Sequence, residues 1–298
     1  MDERPLLDGR DGLVVLGRSV AYDGSLMLLT SPDRPPTTRY SVLRIQPPYR
    51  LGDESIVERI DVKTPSRTLH FAQPIGEDLL LVSGRARRTA QGAFEVNALV
   101  VGHDGSVTRQ MALGDGIEDV QVTRDGDVWV SYFDEGVLGA LSHHPEALGA
   151  TGLEHLDSNG DRIAALQPPT EVGSVCDCYA LNVASHDDVY IAYHPQFPLV
   201  RLTNDGSTIR TWSNAPRGTH AFAIDGSTAL FQGGYGQEDH YVLCSLDGDH
   251  VSERQTYRFR DTDGHLLAHC RAIGRGTTLW LADGTHWFKV DLRSPPWA

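Results

Sequence analysis

Long apolar runs are missing from this chain. The longest, such as Leu79–Val82, have the length of a strand and fall far short of the roughly 20 residues a spanning helix needs. Cysteine is scarce. Cys176, Cys178, Cys244 and Cys270 are the only four among 298 residues, too few for a disulfide scaffold. Positive charge is in deficit, with a formal net charge of −14. Nucleic acids and anionic membranes both need a basic footprint, so neither is expected as the main partner. The opening Met-Asp-Glu-Arg-Pro lacks the basic and apolar regions of a secretory signal, and the expected location is the reduced cytoplasm. Helical periodicity is nearly absent; Pro145–Leu156 is the one stretch that reads as a turn of helix. No G-x-S-x-G elbow and no dinucleotide fingerprint occurs.

What is present is a repeat. A short alternating segment meets a turn rich in Asp and Gly, and a run of Val, Leu, Trp or Tyr follows. Copies lie at Leu16–Leu29, Leu69–Val82, Glu118–Tyr132, Tyr179–Tyr193, His220–Gln232 and His269–Ala282. A second hairpin follows, clearest at Val96–Leu113, Leu199–Trp212 and Tyr241–Phe259. Their turns hold Asp-Gly, residues that tolerate positive φ. Each unit therefore reads as four strands, a to d, recurring about every 50 residues, which is the signature of propeller blades. The expected fold is all-β: one six-bladed β-propeller domain spanning 1–298, with four-stranded blades. The last unit lacks its own d strand, so the segment Arg4–Val15 is expected to pair into it and close the ring. A pair of β-sandwiches explains short strands but not the 50-residue echo.

On Glu118–Tyr132 and Tyr179–Tyr193 the chain resembles the six-bladed group of SMP-30/gluconolactonase and strictosidine-synthase-like proteins, together with the NHL-type propellers. It is also similar to actinobacterial proteins carrying the strings GIEDVQVTRDGDVWVSYFDEG, here Gly116–Gly136, and CYALNV, here Cys178–Val183. By size, a streptogramin-lyase-like propeller is a further relative, although its tightly repeated blade signature is missing. The resemblance to the metal-dependent members implies a divalent cation as candidate cofactor, held in the central channel by Glu, Asn and Asp. Asn182 stands where such an Asn is plausible. Gly17-Arg18-Ser19 stands where the Glu belongs, and the fifth blade offers His220.

In a propeller the a strands line the channel, and their entrance ends converge on one mouth. Polar residues there are Arg18, His70, Glu118, Asp119, Tyr179, Asn182, His220, His269 and Arg271. His70, Glu118, His220 and His269 are the candidates for acid–base chemistry or metal ligation, since imidazole titrates near neutrality. Arg18, Tyr179, Asn182 and Arg271 are the candidates for holding substrate, Arg271 through an anionic group. Adjacent strand residues alternate faces, so Glu118 is favoured over Asp119 for the channel, although His70 aligns with Asp119. Other motifs have blander readings. Cys176-Asp177-Cys178 lacks a second pair and reads as small core residues. Asp157–Asp161 reads as a hairpin turn rather than a calcium loop, Phe133–Gly136 as a solvated turn, and Gly233–Gly236 as a loop between strands of the fifth blade. Trp129, Tyr190 and Trp280 read as packing between blades. The resulting expectation is a small-molecule enzyme of hydrolase, lyase or cyclase type. Its rival is a non-catalytic ligand-binding or protein-interaction scaffold, with Ser31–Thr38 and His143–Asp161 as candidate surfaces.

Overall fold

The computed structural model describes residues 2–5, 13–46, 57–90, 94–141, 147–167, 170–268, 270–283 and 286–295. These form 24 strands and one helix. Strand β1 (Asp2–Pro5) begins the chain. A first sheet follows, of β2 (Val14–Val20), β3 (Leu26–Ser31), β4 (Thr37–Ile45) and β5 (Val57–Arg67). The second holds β6 (Phe71–Ile75), β7 (Asp78–Val82), β8 (Ala98–Val101) and β9 (Val107–Met111). The third holds β10 (Ile117–Val122), β11 (Val128–Tyr132), β12 (Leu153–Leu156) and β13 (Arg162–Ala165), with helix α1 (Asp134–Leu141) inserted between its second and third strands. The fourth runs β14 (Asp177–Ser185), β15 (Asp188–His194), β16 (Leu199–Leu202), β17 (Thr208–Trp212). The fifth runs β18 (Phe222–Asp225), β19 (Thr228–Gln232), β20 (Tyr241–Asp247), β21 (His250–Tyr257). The sixth contains β22 (Arg271–Arg275), β23 (Thr278–Asp283) and β24 (His286–Asp291).

Each sheet is an antiparallel meander, and the six are four-stranded blades of a β-propeller. The missing fourth strand of the last blade is β1, which pairs antiparallel with β24, Glu3 opposite Phe288 and Pro5 opposite His286. The N-terminal segment thus joins the last blade, but through Asp2–Pro5 rather than the whole of 4–15: Val14 and Val15 open β2 of the first blade, and residues 6–12 lie outside the described residues.

Burial explains why these segments form strands. The second strands, β3 and β11, are buried along their whole length and read as continuous apolar runs, as doubly covered strands must. The outer strand β9 alternates between exposed and covered positions, with one face in water. Gly105 at the tip between β8 and β9 has φ 78°, and a Cβ there would sit 2.1 Å from the Asp61 carbonyl oxygen. Only glycine meets both demands.

The chain divides into two compact units, Gly9–Leu166 and Met1–Asp8 with Gln167–Ala298. Each carries three blades held together by apolar seams. In the first unit, one seam joins Leu29 and Val42 to Leu81 and Leu99; another joins Leu80 and Val100 to Val120 and Val130. In the second, Ala192 and Trp212 pack on Phe222 and Phe231, while Leu230 and Tyr241 pack on Leu281 and Phe288. Among the described residues no helix is long and apolar enough to cross a membrane.

The helix lies earlier than its expected place. Pro145–Leu156 ends in strand β12, and Phe133–Gly136 starts α1 rather than a bare turn. Asp134 and Glu135 stand in the first turn, where carboxylates complement the exposed N–H groups. Val137 and Ala140 are buried beneath it. Tertiary burial of those two small apolar side chains outweighs the low propensity of a segment containing two glycines.

Candidate functional site

The start of β14 does not pair regularly with β15. Cys178 faces Tyr193 and Ala180 faces Ala192, so Tyr179 is an extra residue on a β-bulge. The same device recurs in the third blade, where Ile117 faces Tyr132 and Asp119 faces Ser131, leaving Glu118 as the extra residue. Bulges turn a side chain out of the strand's regular alternation. That separates Glu118 from Asp119. The Asp119 carboxylate is held locally, accepting from its neighbour Val120 N–H at 2.8 Å and from Gln121 Nε2 at 2.9 Å.

In the second unit, the turned-out Tyr179 enters a cluster of rings. His220, exposed two residues before β18, presents its ring edge-on at 5.0 Å and 73°. The loop between β19 and β20 brings Tyr235, whose hydroxyl lies 2.6 Å from that of Tyr179. Phe197, from the loop between β15 and β16, stands 5.8 Å from Tyr179 and 6.0 Å from Tyr235, and His194 abuts Phe197 at 5.6 Å. Centroid separations of this size in tilted and edge-to-face pairs are the favoured aromatic geometry. Phe197 is buried yet holds φ 53°, an uncommon conformation for a bulky residue that the surrounding structure must impose. Two backbone bonds do so: Phe197 N–H donates to Tyr193 O, and its carbonyl accepts from Ala215 N–H. The Tyr235 ring lies over Gly218, where a Cβ would meet it at 2.7 Å.

Asn182 lies deeper on β14 and is fully buried. Its Nδ2 donates to Phe222 O at 2.8 Å and Gly276 O at 3.1 Å, and its Oδ1 accepts Gly276 N–H at 2.7 Å. The amide thereby ties the inner strands of the fourth, fifth and sixth blades. Arg271 is exposed at the first position of β22. His269 lies outside the described residues.

In the first unit, Arg18 is half-buried on β2, opposite Leu28. His70 Nδ1 accepts the Gly84 N–H at 2.9 Å, so in the neutral ring the proton resides on Nε2. Gly84 O in turn accepts Ile117 N–H at 3.0 Å, which places His70 and the Glu118 bulge on either side of one glycine.

The residues described do not fit the implied divalent cation. No group of three or more His, Cys, Asp or Glu stands close enough among them to hold a metal, and the Asn182 amide is committed to backbone groups. No step is derived through a metal. The cysteines are free, and burial pushes the thiols of Cys244 and Cys270 up to about 12, far from a reactive thiolate. Asp157–Asp161 closes the β12–β13 hairpin, with Asp157 accepting from Asn159 and Asp161 N–H. Gly233–Gly236 is the β19–β20 loop. Trp129 stacks on His155 at 4.2 Å, its cross-strand partner in the third blade, so this contact lies within a blade rather than between blades.

Phe197, Tyr235 and His194 were not among the residues singled out by sequence. Their signal was faint: His194 ends a second strand and Phe197 and Tyr235 sit in the connections that follow one, the position that adjoins the start of the inner strand in an antiparallel meander.

A family model described as the YxzG family matches residues 161–289, less than half of the chain. No curated protein matches. Several solved structures share the fold. A mitotic checkpoint complex chain matches at 8% identity with TM-score 0.57, covering 94% of this chain and 74% of that one. A catalytically inactive virginiamycin B lyase from Staphylococcus aureus with quinupristin matches at 13% identity and TM-score 0.52, covering 97% and 98%. A streptogramin B lyase matches at 12% and 0.52, covering 97% and 96%. At such identities the likeness shows a shared β-propeller fold.

Proposed function

We propose that the ring cluster of the Gln167–Ala298 unit binds a small organic molecule and that His220 serves there as the acid–base group, in a lyase-, hydrolase- or cyclase-type reaction. The observation that carries this reading is the bulge that turns Tyr179 toward His220 and hydrogen-bonds it to Tyr235. Flat apolar rings supply contact area, and two phenols and an imidazole supply polar groups beside it, the usual make-up of a small-molecule site. An imidazole can both donate and accept a proton, and the exposure of His220 leaves it open to a substrate. The lyase class comes from the two lyases of the same fold and is an analogy. Arg271 is proposed to hold an anionic group, and His269 to assist as a second acid–base group. His70 and Glu118, flanking Gly84 in the other unit, are separate acid–base candidates, with Arg18 as a substrate-holding one.

A second reading, a non-catalytic binding propeller, is favoured by Tyr235, a large ring left 58% exposed. One experiment separates the two. Wild type and His220→Ala are assayed on activated esters, lactones and β-elimination substrates, with thermal midpoints alongside. Turnover lost in His220→Ala at an unchanged midpoint supports catalysis. Equal turnover in both removes His220 from the chemistry, and the binding reading stands.

A further inference from the structure

A cleft of about 440 Å³ opens beside the ring cluster, within the same unit, and shares Tyr235 with it. Its floor is apolar: Val242 and Cys244 of β20 and Val251 of β21, all buried and continuous with the seam containing Trp212. Cys244 is floor rather than nucleophile, because burial holds its thiol protonated. Two opposite charges stand in its walls. Arg217, in the connection leading to β18, is exposed; Glu253, on β21, is exposed too.

Neither charge is neutralised by a described residue. Glu253 accepts one hydrogen bond, from Thr256 at 2.8 Å, and no ion pair holds Arg217 or Glu253 among the described residues. Nor are they within ion-pair reach of each other, although they line one cleft. The Arg217 backbone is fixed: its carbonyl accepts Tyr235 N–H at 3.0 Å, and a Cβ on Gly234 would overlap that carbonyl. A guanidinium on a fixed backbone, an opposed carboxylate and an apolar floor between them form a complementary surface for a molecule charged at both ends.

We propose that this cleft binds a small zwitterion of the amino-acid or dipeptide class, its carboxylate on Arg217, its ammonium on Glu253 and its side chain on Val242, Cys244 and Val251. The cleft shares Tyr235 with the ring cluster, but none of the proposed zwitterion contacts is made by His220. A volume of this size lies within the range of small-molecule pockets.

The test is calorimetric titration of the full chain with Gly-Leu, N-acetyl-Gly-Leu and Gly-Leu amide. Gly-Leu is expected to bind saturably, and each blocked form to bind roughly tenfold more weakly or worse, the worth of one charged contact. In Glu253→Gln the acetylated and free dipeptides should become equivalent; in Arg217→Gln the amidated and free forms should. Both side chains are exposed, so thermal midpoints should stay put and a loss of binding is not a loss of fold. Absence of saturable binding by Gly-Leu, equal binding of all three probes, or discrimination that survives both substitutions overturns the proposal.

Discussion

The hydroxyl of Tyr179 on the fourth blade meets the hydroxyl of Tyr235 on the fifth at 2.6 Å. One phenol donates and the other accepts, so removing either oxygen removes the bond. Tyr179→Phe and Tyr235→Phe should each cost roughly 0.5–1.5 kcal/mol, and the double variant little more than either alone. A double-mutant cycle in urea measures the coupling. Fully additive losses would mean that the two oxygens do not interact in solution.

Asn182 performs a structural task that its position on an inner strand does not announce. With Asn182→Ala the Gly276 N–H loses its acceptor, while Gly276 O keeps the Ile224 N–H at 2.9 Å. The expected loss is about 1–3 kcal/mol. Asn182→Asp should cost more at neutral pH, because it sets a buried carboxylate against the Phe222 and Gly276 carbonyls. Denaturant midpoints of the two variants check the order; a midpoint unchanged in both would leave Asn182 as a ligand-facing residue only.

The blades were readable in the sequence because their information is local. Period-2 alternation and Asp-Gly tips place the paired strands within a few residues of where they occur, as at Glu118–Tyr132 against β10 and β11. Closure of the last blade was readable by elimination, as its three strands needed a partner. The bulges at Glu118 and Tyr179 were not, since register is set by the pairing partner rather than by the residue itself. The same holds for the site. Tyr179 and His220 were legible from strand starts, but Phe197 and Tyr235 join them only through contacts 18 and 56 residues away from Tyr179 in the chain. Helix α1 was missed because its stability lies in the burial of Val137 and Ala140 rather than in its composition.

Two glycines in the inner strands allow neighbouring blades to touch backbone to backbone. A Cβ on Gly17 would lie 2.1 Å from His70 O, and one on Gly274 would lie 2.0 Å from Phe222 O. Neither obstacle is a side chain that can swing aside, so Gly17→Ala and Gly274→Ala should each destabilise by at least about 2 kcal/mol. Gly139 gives the opposite sign. It is exposed in α1, and a Cβ there meets nothing within 4 Å, so Gly139→Ala should stabilise by about 0.5–1 kcal/mol. Chemical unfolding of the three variants decides, and a neutral Gly274→Ala would contradict the close approach of β22 to β18.

Glu154 gives the fold a pH dependence of unusual sign. Its carboxyl is buried on β12, paired with Arg162 Nε at 2.8 Å and accepting Gly149 N–H at 3.2 Å. Burial outweighs both and lifts its pKa from 4.5 to about 7. The folded chain therefore binds this proton more tightly than the unfolded chain does. Its contribution to stability is full below about pH 4.5 and declines as pH rises through 7, by up to about 3 kcal/mol. Most paired carboxylates do the reverse. Glu154→Gln keeps the shape and an acceptor for Gly149 but cannot titrate, so its stability relative to wild type should improve from pH 5 to about pH 7 and level off above that. Urea unfolding of both proteins across that range measures the difference. Parallel profiles would show that Arg162, half-buried at the edge of the pair, compensates the ionised carboxylate fully.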